Sequence, residues 1–213
     1  MKSMGATQEE YYRGVRMVPY DLVKELALAL IGVGVLTLAL AAIFSSPDVP
    51  PVTIAALAWV IVSGVVLSFM GPQWWHDSGT GRFFNSLHFW SVQLFFIFMV
   101  LHLWGQYFMA GWRHGRATTW MIGVVIFGIS ILTAFTGYLS QQNFDGQFIA
   151  LNAKDAMNGA GIGAFFNVLN FGQMYGLHIM LLPIGVTFLV VVHIVMVRAR
   201  GVVKPIDAEG VAR

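Results

Sequence analysis

Apolar, uncharged residues run almost unbroken through 26–44, 52–70, 87–101, 121–139 and 179–192, and polar residues gather between these runs. A helix rises about 1.5 Å per residue, so crossing the bilayer core takes roughly 20 residues, a length each run reaches with its mild flanks. The pattern predicts an all-α membrane protein with about five transmembrane helices. The proline-rich SSPDVPP (45–51) breaks the pattern and joins the first two runs by a turn. GPQWWHDSGTGRFF (71–84) and GWRHGRATTW (111–120) are two further predicted connections, the first with tryptophans suited to a membrane interface. Residues 140–173 form the longest predicted loop, rich in Asn, Gln and Gly and too long for a simple tether, which suggests a binding or lid role. Three segments are expected: 1–50 with the first span, 51–201 as one integrated bundle, and 202–213 as a short polar tail.

The first 21 residues are polar, and the run that follows exceeds the roughly 7–15 residues of a signal-peptide core, so a span is expected there rather than a signal peptide. Composition agrees with the membrane reading: of 213 residues, 57% are hydrophobic and only 10% charged, against about 25% charged in soluble domains. The absence of cysteine excludes disulfides, thiolate-held iron–sulfur clusters and thioether-linked haem, so any redox cofactor must be held by histidine or methionine. A net charge of +2 reflects basic residues flanking the spans and calls for no nucleic-acid partner. Lys2, Arg13, Arg16, Lys24, Arg82 and Lys154 would lie on one side of the membrane, and Arg113, Arg116, Arg198, Arg200, Lys204 and Arg213 on the other, a tie that leaves the orientation open. The spans hold almost no carboxylates, which argues against an ion-coupled transporter.

Six histidines remain to be explained. His76 and His114 fall in predicted connections and read as solvated side chains. The other four lie inside apolar runs, where an ionisable residue is by default a functional one. His88 and His102 are 14 residues apart, and His178 and His193 are 15 apart. At about 100° per residue the first step falls about 40° short of four turns and the second overshoots by about 60°, so each pair keeps near one helix face, with about 21 Å between depths. Pro183 should bend the second helix and absorb part of the mismatch. One intervening span, 118–139, makes the two histidine helices parallel, pairing His88 with His178 and His102 with His193. Each pair could hold a haem iron from both sides; the competing reading is interhelical hydrogen-bond glue worth about 1 kcal/mol per histidine. Gly123 and Gly137, again 14 apart on the intervening span, would let a flat macrocycle approach the backbone, or else serve helix packing, a reading that Gly128 also fits.

The segments SLHFW, VLHLW, GWRHGRATTWMIGVV, LTAFTGYL, YGLHIMLLP and HIVMVRARG, in this order over residues 83–201, resemble the N-terminal, haem-bearing half of cytochrome b of the bc and bf complexes. The 15-residue histidine step resembles the split bf-type chain. The resemblance implies a cytochrome b-like four-helix haem-binding bundle plus one extra N-terminal span. It implies two non-covalent b-type haems, with His88 and His178 ligating one near the outer face and His102 and His193 the other near the cytoplasmic face. Gly64 in VSGVV, Gly123 and Gly137 match the family's haem-edge glycines, and Tyr138 falls at a possible quinone site. The loops around Arg113 and Arg198 would be cytoplasmic, which breaks the charge tie and puts the amino terminus outside.

The implied activity is electron transfer across an energy-transducing membrane, such as the bacterial cytoplasmic membrane, between quinol and quinone sites of a quinol–cytochrome c type oxidoreductase. The implied partners are a subunit IV-like C-terminal-half chain, a Rieske iron–sulfur protein and a c-type cytochrome, in a dimeric complex. Several positions depart from the pattern. GYLSQQNFD stands where the family has LPWD after the glycine–tyrosine, and Asn85, Gly105 and Gln173 stand where it often has propionate-binding arginines, for one of which Arg82 is a candidate substitute. Pro50 replaces another expected glycine, and the PEWY motif belongs to the C-terminal half, which this sequence does not include. Without cysteine the extra covalent haem of bf-type chains is not expected. These departures raise an alternative: a di-haem membrane anchor and electron conduit for a different peripheral oxidoreductase, without a standard outer quinol site. Fewer cations also predict lowered haem potentials.

Overall fold

The computed structural model describes residues 51–203, so the first predicted span (26–44), the 45–50 turn with Pro50, and the tail from residue 204 lie outside the described residues. Among the described residues all regular structure is helical. Four helices are long and apolar enough to cross a membrane: α1 (Pro51–Asp77), α2 (Gly79–Phe108), α3 (Ala117–Ser140) and, after the shorter α4 (Phe144–Gly159), α5 (Phe171–Arg200). Each contains one predicted run. Many large apolar side chains on them point outward, as on Phe69, Trp90, Leu101 and Phe188, so the surface suits lipid rather than water.

Two predicted connections are more helical than their composition suggests. Residues 71–84 stay helical apart from a break at Gly71, whose φ of 80° favours glycine, and a one-residue turn at Ser78. Pro72 follows the break, where its missing N–H costs least, and Ser78 caps α2 by accepting from the Gly81 N–H at 2.8 Å. Gly81 is needed there because a Cβ would lie 2.7 Å from the Trp75 Cα. Trp75 is consequently buried rather than exposed at an interface, its ring beside that of Tyr175. The predicted loop 140–173 likewise contains α4, begun by Asn143, whose side chain accepts from the Gly146 N–H. Ala150 of α4 packs with Leu139, Val168 and Met174, fixing this segment across the ends of α3 and α5.

The helices pair as α1 with α2 and α3 with α5. Between the pairs lie two cavities at different depths, of about 550 Å³ and about 400 Å³. Leu57 and Phe95 line both, and Phe96 and Phe127 stack edge-on between them. An apolar partition built on the Ala56, Phe95 and Met99 core therefore divides the bundle interior.

The mismatch between histidine steps has a specific solution in α5. Residues Leu177–Leu181 form a π turn, in which the Leu182 N–H bonds the Leu177 carbonyl five residues back. One extra residue in that turn makes 15 residues advance about as far as 14 of regular α-helix. Pro183 follows directly. The expected bend at proline is thus realised as a local widening that includes His178 itself.

Candidate functional site

The structure brings the four span histidines together as two cross-helix pairs. His88 on α2 faces His178 on α5 with ring centroids 6.1 Å apart and planes at 83°. His102 faces His193 at 6.5 Å and 86°. Two imidazoles binding one metal from opposite sides, with bonds of roughly 2 Å, would place their centroids about 6 Å apart. The first pair lines the larger cavity and the second pair the smaller, both within the roughly 300–1,000 Å³ usual for cofactor sites.

Hydrogen bonding at the first pair fixes which ring nitrogen is available. His178 Nδ1 lies 2.8 Å from the Thr133 carbonyl oxygen. A carbonyl only accepts, so Nδ1 carries the proton and Nε2 keeps its lone pair. His88 Nδ1 lies 2.9 Å from Ser63 Oγ, whose hydroxyl donates to the Trp59 carbonyl at 2.6 Å. With that hydroxyl proton committed, His88 Nδ1 donates to Oγ and its Nε2 is likewise free. Both rings are thus presented as neutral ligands oriented by a second partner, the arrangement that metal-binding histidines favour.

The second pair is held differently. Among the described residues His193 Nδ1 is buried near the Thr119 backbone, the counterpart of Thr133, but not in the close hydrogen-bond geometry seen at His178, and His102 makes no hydrogen bond. No group of three or more His, Cys, Asp or Glu residues suited to a metal occurs among the described residues, so each centre would depend on two imidazoles and a cofactor supplying the remaining ligands.

All three predicted glycines abut histidine rings. A Cβ on Gly64 would lie 3.1 Å from His88 Cε1, and one on Gly123 would lie 3.3 Å from His193 Cε1. At Gly137 a Cβ would fall within the His178 ring, 2.7 Å from Nδ1 and 2.8 Å from Nε2. The backbone is therefore bare where an imidazole, rather than only a macrocycle, presses against it. A Cβ on Gly128 would meet nothing within 4 Å among the described residues, so none of the described helices packs closely against it.

The departures from the family pattern form connected structure. Asn85 and Gln141 exchange two amide hydrogen bonds, each 2.9 Å, tying α2 to the end of α3. Gln173 donates to the Phe165 carbonyl at 2.6 Å and accepts from the Asn167 N–H at 2.7 Å. Arg82 turns to the His76 carbonyl rather than into either cavity. Tyr138 is half-buried and lines neither cavity.

Ser63 and Thr133 orient the first pair, although they do not stand out in the sequence on their own. A signal was present: Thr119 precedes Gly123 by four residues, as Thr133 precedes Gly137, so the whole Thr-x-x-x-Gly unit repeats at a 14-residue step. Ser63 stands immediately before Gly64.

The model for cytochrome b/b6/petB matches residues 36–201. Similar curated proteins include a cytochrome b6 of Chlamydomonas reinhardtii, 28% identical over 61% of this chain and 66% of that protein. A cytochrome b of Schizosaccharomyces octosporus is 29% identical over 73% of this chain and 43% of its own length. A cytochrome bc complex cytochrome b subunit of Chlorobaculum thiosulfatiphilum is 29% identical over 59% of this chain and 32% of its own length. The chain thus spans between about a third and two thirds of the relatives it matches. With the family match running through all four described spans and both histidine pairs, the chain belongs to the cytochrome b family.

Proposed function

We propose that this chain is the di-haem electron-transfer subunit of a membrane quinol oxidoreductase, with His88 and His178 holding one b-type haem and His102 and His193 the other. The observation that carries the reading is the recurrence of one imidazole pair at two depths, with centroids 6.1 and 6.5 Å apart, each opening on its own cavity. When bound, the haems supply one-electron redox chemistry. The chain's own residues provide the rest. Thr133 and Ser63 keep Nδ1 protonated on His178 and His88 so that Nε2 can ligate. Gly64, Gly123 and Gly137 leave room for three of the four rings. The apolar cavity walls exclude water, which strengthens electrostatic effects inside.

The orientation follows the family resemblance, since over the whole sequence Lys and Arg tie six against six: the end nearer His102 and His193, which bears Arg113, Arg116, Arg198 and Arg200, is the cytoplasmic one. Electrons then pass from a quinol near His88 and His178, across the membrane, to a quinone near His102 and His193. A subunit IV-like chain, a Rieske protein and a c-type cytochrome would complete a dimeric complex.

One observation favours a second reading, in which the bundle is an anchor and conduit for a different peripheral oxidoreductase. The SQQNFD segment is tied to its surroundings: Gln141 to Asn85, Gln142 to the Leu139 carbonyl, and the Gln142 carbonyl to the Gln147 amide. These bonds engage the amides of Gln141 and Gln142 that a quinol would otherwise meet. A Rieske protein and a PEWY-bearing chain copurifying with this subunit would favour the first reading; a different dehydrogenase or a multihaem cytochrome would favour the second.

The deciding experiment is a haem count with reduced-minus-oxidised spectra on the purified chain and on His178→Leu. The expected result is two b-type haems, falling to one in the variant. A folded chain without haem would overturn both readings and leave the histidines as interhelical hydrogen-bonding groups.

A further inference from the structure

We infer that Arg116 and Arg200 form an anion subsite at the mouth of the second cavity, and that it binds the carboxylates of the macrocycle held by His102 and His193. The inference rests on the di-haem reading above. Among the described residues no Lys, Arg, Asp or Glu lines the first cavity, whereas Arg116 and Arg200 both line the second. Their geometry leaves cationic donors in excess. Arg200 Nη1 donates to Thr119 Oγ1 at 2.7 Å, and Arg116 Nη2 donates only to the carbonyls of Arg200 and Val202, at 3.3 and 3.4 Å. Neither guanidinium has a carboxylate partner among the described residues.

Two further observations point to an anion. Among the described residues Arg116 Nε and the Trp120 indole N–H are buried without a hydrogen-bond partner, and both residues line this cavity. Orphaned buried donors are uncommon and call for an acceptor. Arg116 is also the N-cap residue of the 24-residue α3, yet no side chain caps the first turn there. The helix start therefore adds partial positive charge beside the two guanidiniums. A tetrapyrrole bearing propionate carboxylates supplies acceptors of the right charge, and its iron would be held deeper in the same cavity by His102 and His193. The arginines expected near the propionates are absent at Asn85, Gly105 and Gln173; this pair restores cationic charge at one cavity only. A nearby cation stabilises the form carrying the additional electron, so the haem in the second cavity should have the higher potential.

The test is an equilibrium redox titration of the full-length haem-loaded chain in discs of zwitterionic lipid, following both haem bands, with His102→Leu identifying the second-cavity haem. In Arg200→Gln that haem's midpoint should fall by the equivalent of about a tenfold change in the oxidised-to-reduced ratio, about 59 mV for one electron, while the other stays put. Arg200→Lys should retain most of the wild-type value. Arg116 also braces the exit of α5 through two carbonyls, so Arg116→Gln serves as the second variant and should move the same haem in the same direction. Unchanged midpoints with both haems bound, or equal shifts of both, would overturn the inference without touching the di-haem reading. A wild-type chain lacking haem would overturn that reading as well. A shift seen only in discs containing phosphatidylglycerol would assign the anion to a lipid phosphate and overturn the carboxylate assignment.

Discussion

The two ends of the bundle carry the same pair of residues and hold them by different means. In the first cavity both rings are aimed by hydrogen bonds, from Thr133 and Ser63, and both rest on bare glycine backbone at Gly137 and Gly64. In the second, one ring rests on Gly123, His193 Nδ1 lies near the Thr119 backbone without a close hydrogen bond among the described residues, and two arginines stand at the mouth. The first pair is specified by ring orientation in a cavity that no Lys, Arg, Asp or Glu lines among the described residues. The second is specified less by orientation and more by electrostatics. Histidines recurring at matched depths can thus form the same imidazole pair twice while the residues around them give each pair its own character.

The glycines offer the most severe test of this contrast. Gly137→Ala places a methyl group inside the His178 ring, and the expected outcome is loss of the first haem with the second retained, read as a fall from two haems to one per chain. In Gly64→Ala and Gly123→Ala the neighbouring ring needs to yield only a few tenths of an ångström, so haem content should fall by much less. Equal loss in all three variants would show that the glycines act on helix packing rather than on individual rings.

Ser63→Ala removes one orienting partner and should weaken retention of the first haem by about 10- to 100-fold, the usual range for an outer partner of a metal-bound histidine. Competition with a haem-scavenging apoprotein measures this. The second haem has no equivalent bond and should dissociate at an unchanged rate.

Asn85→Leu should act on the fold more than on either centre. It leaves the Gln141 amide unpaired in a partly buried place, at a cost of about 1–3 kcal/mol, so thermal unfolding should move down by several degrees while both haem spectra persist. The smallest expected effect is that of Asn85→Arg, which brings a cation toward the first cavity and should raise that haem's midpoint alone, narrowing the gap between the two.

Much of this architecture can be read from the chain. Four of the apolar runs became spans, and the histidine steps of 14 and 15 residues led to the observed pairing, because helical periodicity turns spacing directly into depth and face. The connections were less legible. Residues 71–84 and 140–173 are rich in Gly, Pro, Asn and Gln, which mark turns, but here those residues cap helices or break them for a single residue, and packing of Leu139, Ala150, Val168 and Met174 stabilises α4. The π turn was hidden for a related reason: a proline announces that the regular bonding must change, without saying how. Arg116 and Arg200 sit among ordinary membrane-flanking cations in the sequence, and only their convergence on one cavity distinguishes them.

The partition between the cavities bears on a different property. Leu57, Phe95, Phe96 and Phe127 contain no atom that can accept or relay a proton, so the wall these side chains form between the two cavities is hydrocarbon. An electron can tunnel through a few ångströms of such material, but a hydrated ion cannot enter it without losing its water shell. This partition is therefore like the insulation of a conductor: it resists the passage of ions between the two cavities while leaving a short path for tunnelling.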